Sequence, residues 1–162
     1  MMVFRPGIHF AFSHPAHFLA FGFGTGLARF APGTVGTLVA FPIYWLTAPV
    51  YPPAVMLALV AVLFAIGVWA CDITGRHLGI ADHGGMVWDE VVAFLLVLIV
   101  CPDDPWWQAA AFVLFRIFDV LKPPPIRQAE VRFKGGFGVM FDDILAAGYT
   151  LLVLALAKRL LG

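Results

Sequence analysis

The sequence predicts an all-α fold: a polytopic membrane helical bundle of about five segments behind a re-entrant or interfacial N-terminal piece. Three observations predict it. Of 162 residues, 62% are hydrophobic and only 12% charged, against roughly 45–50% apolar and about 25% charged in ordinary soluble domains. The apolar residues fall into five runs separated by short breaks, at 35–50, 54–71, 91–101, 106–121 and 144–156. The polar residues collect in alternate breaks, on one side of the series. The length suits a single domain, 1–162, with room for about five spans and little else.

The elements follow in chain order. Residues 17–32 mix Phe18, Leu19, Phe21, Phe23, Leu27 and Phe30 with Gly22, Gly24 and Gly26, as expected of a closely packed interfacial or re-entrant piece. The run 35–50 contains Pro42 and Pro49, which remove backbone donors, so a bent or broken segment is expected. Residues 54–71 carry no charge over 18 positions, about 27 Å of helix against a hydrocarbon core of roughly 30 Å. The run 91–101 is short, so a crossing there draws Asp89 and Glu90 to membrane depth, where carboxylates need protein partners. Trp106 and Trp107 open the fourth run as an interfacial belt would. The fifth, 144–156, follows the glycine-rich stretch Gly135-Gly136-Phe137-Gly138.

If the runs cross in alternation, Arg5, Arg29, Arg76, Lys122, Arg127, Arg132 and Lys134 share one side and only Lys158 and Arg159 lie on the other. The positive-inside rule makes the first side cytoplasmic. The N-terminal stretch, broken by Pro6, His9, Ser13, His14 and Pro15, is a poor signal peptide, so neither cleavage nor export is expected. Ten basic residues balance ten acidic ones, leaving no field to hold nucleic acid, which is not expected as a partner. With no asparagine and a single serine, Ser13, serine-nucleophile chemistry has almost nothing to use. Cys71 and Cys101 end different runs and read as separate buried thiols rather than a disulfide.

Chemistry is signalled by acids at segment ends: Asp89-Glu90, Asp119 and Asp142-Asp143. Intramembrane carboxylates are expensive and usually functional, and oxygen ligands without clustered Cys or His suit Mg²⁺. A single acid in a first helical turn can merely complement the macrodipole; doubled acids at two entrances point to metal. Arg116 inside an apolar run must be paired, with Asp119 at i+3, or face a phosphate, and Lys122 repeats that spacing. Arg127 and Arg132 read as a nonspecific headgroup-binding cluster. The turn 32–37, with Thr34 and Thr37, and the stretch 135–138 both offer backbone amides at a helix N-terminus, suited to an anion or to close packing. In Asp82-His83-Gly84-Gly85 the histidine lies among acids, a candidate base or hydrogen-bond donor. His9, His14, His17 and His77 lack ligand spacing to one another, and no metal is assigned to them.

Four blocks in order then resemble the phosphatidylglycerophosphatase A family. These are Phe21-Gly22-Phe23-Gly24-Thr25-Gly26-Leu27 with Ala31-Pro32-Gly33-Thr34-Val35-Gly36-Thr37; Asp82 through Glu90; Phe115-Arg116-Ile117-Phe118-Asp119 through Arg127; and Gly135 through Asp143. The resemblance covers about residues 21–148. It implies an inner-membrane, Mg²⁺-dependent lipid phosphatase that converts phosphatidylglycerophosphate to phosphatidylglycerol. It also carries over Asp82, Asp89, Glu90, Asp119, Asp142 and Asp143 as the acidic motif residues, with Arg116 and Lys122 beside them. Asp72 stays off the primary site, and the Pro123-Pro124-Pro125 loop departs from relatives that carry an aromatic between prolines.

The expected mechanism has Asp89, Glu90, Asp119, Asp142 and Asp143 holding one or two Mg²⁺, while Thr34, Thr37, Arg116, Lys122 and loop amides bind phosphate. Asp82, His83, Asp89 and Asp142 are the candidate catalytic groups. Attack by water and an aspartyl-phosphate intermediate both remain open, as does the choice of base. Two other classes compete. A CDP-alcohol transferase needs an Asp-Gly…Ala-Arg…Gly…Asp…Asp pattern that this sequence lacks. An ion-pathway or transporter subunit needs acids at mid-membrane, reachable from both sides.

Overall fold

A computed structural model describes residues 6–161, and all of its regular structure is helical. Arg5, counted above among the cations of one side, lies outside the described residues. The helices are α1 (Ile8–Phe12), α2 (Pro15–Ala20), a 3₁₀ turn (Gly22–Leu27), α3 (Pro32–Thr47), α4 (Pro53–Leu78), α5 (Trp88–Val100), α6 (Pro105–Leu121), α7 (Ile126–Arg132) and α8 (Gly135–Leu161).

The order of the long helices follows the apolar runs, but three boundaries differ. The first run forms one uninterrupted helix through Pro42, ending at Thr47 rather than at a break around the proline. The second continues past Cys71 to Leu78, carrying Asp72, Thr74, Arg76 and His77, and stops at Gly79 in the left-handed conformation (φ 68°). Its end is closed by the Ile80 amide donating to the Gly75 carbonyl at 3.1 Å, the habit of a glycine-terminated helix. The last helix begins at Gly135, nine residues before the apolar run. Asp142 and Asp143 therefore sit two turns inside α8 instead of opening it.

Burial explains the arrangement. In α5, ten of the eleven positions from Trp88 to Leu98 are buried on all sides of the helix, including Asp89 and Glu90. This short helix is the centre of the bundle, packed by α3, α8, α4 and α6. At about 20 Å it is shorter than a hydrocarbon core, and its neighbours surround it. Its start is clamped from two sides: the Val87 amide donates to the Ala20 carbonyl at 2.8 Å, and the Trp88 indole N–H donates to the Leu63 carbonyl at 3.3 Å. Asp104 caps α6 by accepting from the Trp106 and Trp107 amides at 2.9 and 3.3 Å. Pro105 occupies the first helical position, where its missing donor is harmless. The short α1, α2 and 3₁₀ turn pack together, and α2 lies against α4. Among the described residues two helices, α4 and α8, are long and apolar enough to cross a membrane by length and composition.

Glycines permit the closest approach between α4 and α8. A Cβ on Gly136 would strike the Val68 carbonyl and come 2.7 Å from the Asp72 amide nitrogen, both backbone atoms that cannot swing aside. Gly136→Ala is therefore expected to destabilise the protein by about 1–3 kcal/mol or more, as overpacking does. Gly148→Ala, on the same helix with nothing within 4 Å of the new atom, should be neutral or stabilising by up to ~1 kcal/mol. Thermal unfolding of the two variants in detergent checks the contrast; equal midpoints would show that the helices do not meet at Gly136.

Candidate active site

The polar residues converge where the N-termini of α3, α5 and α8 meet the C-terminus of α6. Asp89 and Glu90, in the first turn of α5, and Asp143, on α8, each place a carboxylate oxygen within 4.8 Å of the others. All three are buried, at 7%, 8% and 3% exposure. Asp89 Oδ1, Glu90 Oε2 and Asp143 Oδ2 have no hydrogen-bond partner among the described residues. Buried polar atoms are rarely left unpaired, and orphaned oxygens from two helices make the donor set that a hard divalent cation takes.

The sequence-predicted metal set divides here. Asp142 and Asp143 are neighbours in sequence, and successive residues on a helix point about 100° apart. Asp143 turns to α5, whereas Asp142 joins Asp82 and Glu130 in a second group, again with oxygens within 4.8 Å of one another. Asp142 Oδ2 accepts from Lys122 Nζ at 2.7 Å, and the same ammonium donates to Glu130 Oε1 at 2.8 Å. Burial acts to weaken the Lys122 charge, but the bonds to Asp142 and Glu130 outweigh it and hold the ammonium well above its ordinary range. A fixed positive charge thus occupies the second group. Asp119 belongs to neither group and is ion-paired with Arg116.

Arg116 is fixed by its surroundings. Its Nη1 lies 3.5 Å from Glu90 Oε1 and 3.4 Å from Thr37 Oγ1 as well as against Asp119, while its Nε is buried and unpartnered. Gly33 makes the packing feasible, since a Cβ there would overlap the Glu90 carboxylate and lie 3.0 Å from Arg116 Nη2. Thr37, expected to bind phosphate, is fully buried and donates its hydroxyl proton to the Gly33 carbonyl at 2.7 Å. Its Oγ1 also accepts from Arg116 Nη1 at 3.4 Å. Thr34, one turn earlier, is half-buried at the start of α3.

The loop 81–85 separates two cavities. On one side Asp82 lines a hollow of about 240 Å³ with Glu130, Lys134 and Asp142. On the other, His83 lines a larger one. His83 Nδ1 accepts from the Gly85 amide at 3.0 Å, which leaves the ring proton on Nε2.

Two features escape a reading of the sequence alone. Glu130 was not singled out, although it is the only acid between Pro123 and Lys134, and that isolation in a basic stretch was the available signal. The other is a histidine cluster. His17 bonds Thr74 Oγ1 at 2.9 Å through Nδ1 and His77 Nδ1 at 3.0 Å through Nε2, and the His14 ring lies 5.3 Å away. Burial, then His77 and His14, push the His17 ring below its usual value at the α2–α4 contact. Asp72, left off the site, pairs with Arg76 and accepts from the Gly136 amide at 3.4 Å, joining α4 to α8.

Comparison with known proteins adds the following. The family model described as phosphatidylglycerophosphatase A matches residues 18–158. A phosphatidylglycerophosphatase A of Escherichia coli strain K12 is 44% identical over 136 residues, 83% of this chain and 78% of the relative. One from Haemophilus influenzae is 43% identical over 141 residues, 86% of each. A Bacteroides thetaiotaomicron protein, 40% identical over 149 residues (87% of this chain, 92% of that one), is named provisionally as a phosphatidylinositol-3-phosphatase. No solved structure matches the chain.

Proposed function

The chain belongs to the phosphatidylglycerophosphatase A family, and from that premise we propose how these residues remove the terminal phosphate of phosphatidylglycerophosphate, giving phosphatidylglycerol and phosphate. The observation that carries the reading is the trio of orphaned, buried oxygens on Asp89, Glu90 and Asp143. They fit Mg²⁺, and a bound Mg²⁺ would neutralise charge on the phosphoryl oxygens. Arg116, beside Glu90 of the trio, and Lys122, held by Asp142 and Glu130 in the neighbouring group, are the cations that bind and orient the phosphomonoester. Positioning and charge stabilisation supply most of the rate in phosphoryl transfer. Asp82 faces the acidic hollow, while His83 lines the opposite cavity with Nδ1 already engaged. We therefore assign the base that takes a proton from attacking water to Asp82, and assign Asp142 to holding Lys122.

The same reading extends to topology. Helices α3, α4, α5, α6 and α8 are the five spans of a multi-pass bacterial inner-membrane protein. Support comes from the apolar residues that ring the bundle, among them Trp45, Leu46, Val62, Trp69, Val113 and Leu152, all exposed; a surface so apolar needs lipid or a partner to cover it. The acids of the site gather at one end of the bundle, with Arg127, Arg132 and Lys134 near Glu130 and Asp142 in the chain, whereas Lys158 and Arg159 end α8. By the positive-inside rule that end faces the cytoplasm, which disfavours a conduit open to both sides.

The test is phosphate release from phosphatidylglycerophosphate by the detergent-purified protein, with Mg²⁺, with EDTA, and with a soluble phosphomonoester in parallel. Release that requires Mg²⁺ and favours the lipid is expected. Equal release in EDTA would overturn the metal assignment, and no release by folded protein would overturn the substrate.

A further inference from the structure

The larger cavity beside the loop 81–85, of about 670 Å³, is lined by Arg29, His83, Phe21 and Pro32 and, among the described residues, by no acidic residue. This sets it apart from the hollow across the loop, which holds three carboxylates. Arg29 is exposed and makes no ion pair among the described residues. His83 presents an Nε2 donor, because its Nδ1 accepts from the Gly85 amide, and Phe21 lies against its ring with centroids 6.2 Å apart. Glycine keeps the cavity wall thin: a Cβ on Gly26 would overlap the Gly85 carbonyl. A cation and a neutral donor in an acid-free cavity form an anion site by the chemistry of their groups.

The cavity also adjoins the reaction centre. Pro32 lines it, and the next residue, Gly33, packs against the Glu90 carboxylate and the Arg116 guanidinium. Asp82 and His83, consecutive in the chain, face the two cavities. A ligand that spans this cavity and the reaction centre, with one anionic group at Arg29 and His83 and the other at Arg116, carries two anionic groups a short spacer apart. Phosphatidylglycerophosphate carries a phosphomonoester and, across one glycerol unit, a phosphodiester. Resting on the function proposed above, we propose that Arg29 and His83 bind the phosphodiester of the substrate, so that this cavity selects a lipid with a second phosphate over a lipid phosphomonoester without one.

The test compares phosphatidylglycerophosphate with phosphatidic acid, which has the acyl chains and the monoester but no diester, in parent, Arg29→Gln, Arg29→Lys and His83→Gln proteins with Mg²⁺ in mixed micelles. The expected result is a fall of about tenfold in the ratio of kcat/KM for the two lipids in Arg29→Gln, expressed in KM and partly restored in Arg29→Lys, with a smaller fall in His83→Gln; tenfold corresponds to loss of one modest charge-assisted contact. A ratio unchanged in both glutamine variants, in proteins that still hydrolyse phosphatidylglycerophosphate, overturns the diester site and leaves the proposed function standing. A parent inactive on both lipids overturns the function itself, and the site with it. Inorganic phosphate is added as a competitor: equal inhibition of parent and Arg29→Gln is expected. Inhibition weakened in the variant with the lipid ratio unchanged would mean that the cavity takes free phosphate, overturning the assignment to substrate.

Discussion

Replacing Asp89 by asparagine is expected to lower turnover of phosphatidylglycerophosphate at least ~10²-fold, the scale for loss of a charge-stabilising group, while raising the thermal stability of the protein in EDTA. The opposite signs come from one geometry. Asp89, Glu90 and Asp143 approach within 4.8 Å on buried faces of α5 and α8. Even at that limit, two like charges repel by on the order of 3 kcal/mol at an effective dielectric of about 20. Removing one charge relieves the repulsion, and the new amide can donate to a neighbouring carboxylate oxygen that now has no partner. The same change removes one of the proposed Mg²⁺ ligands. Mg²⁺ should raise the unfolding midpoint of the parent, since a ligand bound only by the folded state stabilises it by about 2.7 kcal/mol at a hundred times its dissociation constant, and the variant should show a much smaller rise. Thermal unfolding with Mg²⁺ and with EDTA, beside turnover, measures both. Parental turnover, or an equal Mg²⁺-dependent shift in Asp89→Asn, would remove the metal from this trio.

The all-helical class and the sequence of helices were legible because apolar runs and prolines are local signals. Asp104-Pro105 opens α6 and the prolines after Lys122 stop it, as capping chemistry dictates. The start of α8 was not legible for a physical reason. Gly135, Gly136 and Gly138 resemble a turn, yet they form the opening of a helix whose lack of side chains lets it lie on the α4 backbone at Val68 and Asp72. Local propensity argued for a loop and tertiary packing overrode it. The acids of the site were visible as a set, but their division was not. Only the helical phase at Asp142 and Asp143 separates an oxygen facing α5 from one facing Lys122, and that phase depends on α8 starting nine residues early. The cluster of His14, His17 and His77 depends on α2 docking on α4 across about sixty residues of chain, a contact that no spacing rule encodes.

Lys122 supplies the second large effect, and it separates structure from chemistry. Its ammonium joins Asp142, whose side chain is 4% exposed, to Glu130, whose side chain is 43% exposed. Lys122→Met leaves Asp142 buried with Oδ1 already unpartnered and now Oδ2 as well. The expected destabilisation is about 3 kcal/mol, the low end for orphaning one partner of a buried ion pair, because Glu130 can still turn to solvent. Turnover should fall at least ~10²-fold if Lys122 binds phosphate as proposed. Adding Asp142→Asn to Lys122→Met removes the stranded charge, so stability should recover to within ~1 kcal/mol of the parent. Turnover should not recover, since the double variant still lacks the cation proposed to meet the phosphomonoester. Unfolding midpoints and phosphate release on the two variants decide the matter: activity that returned together with stability would make Lys122 a structural clasp between α6, α7 and α8, and would leave Arg116 as the phosphate-binding cation.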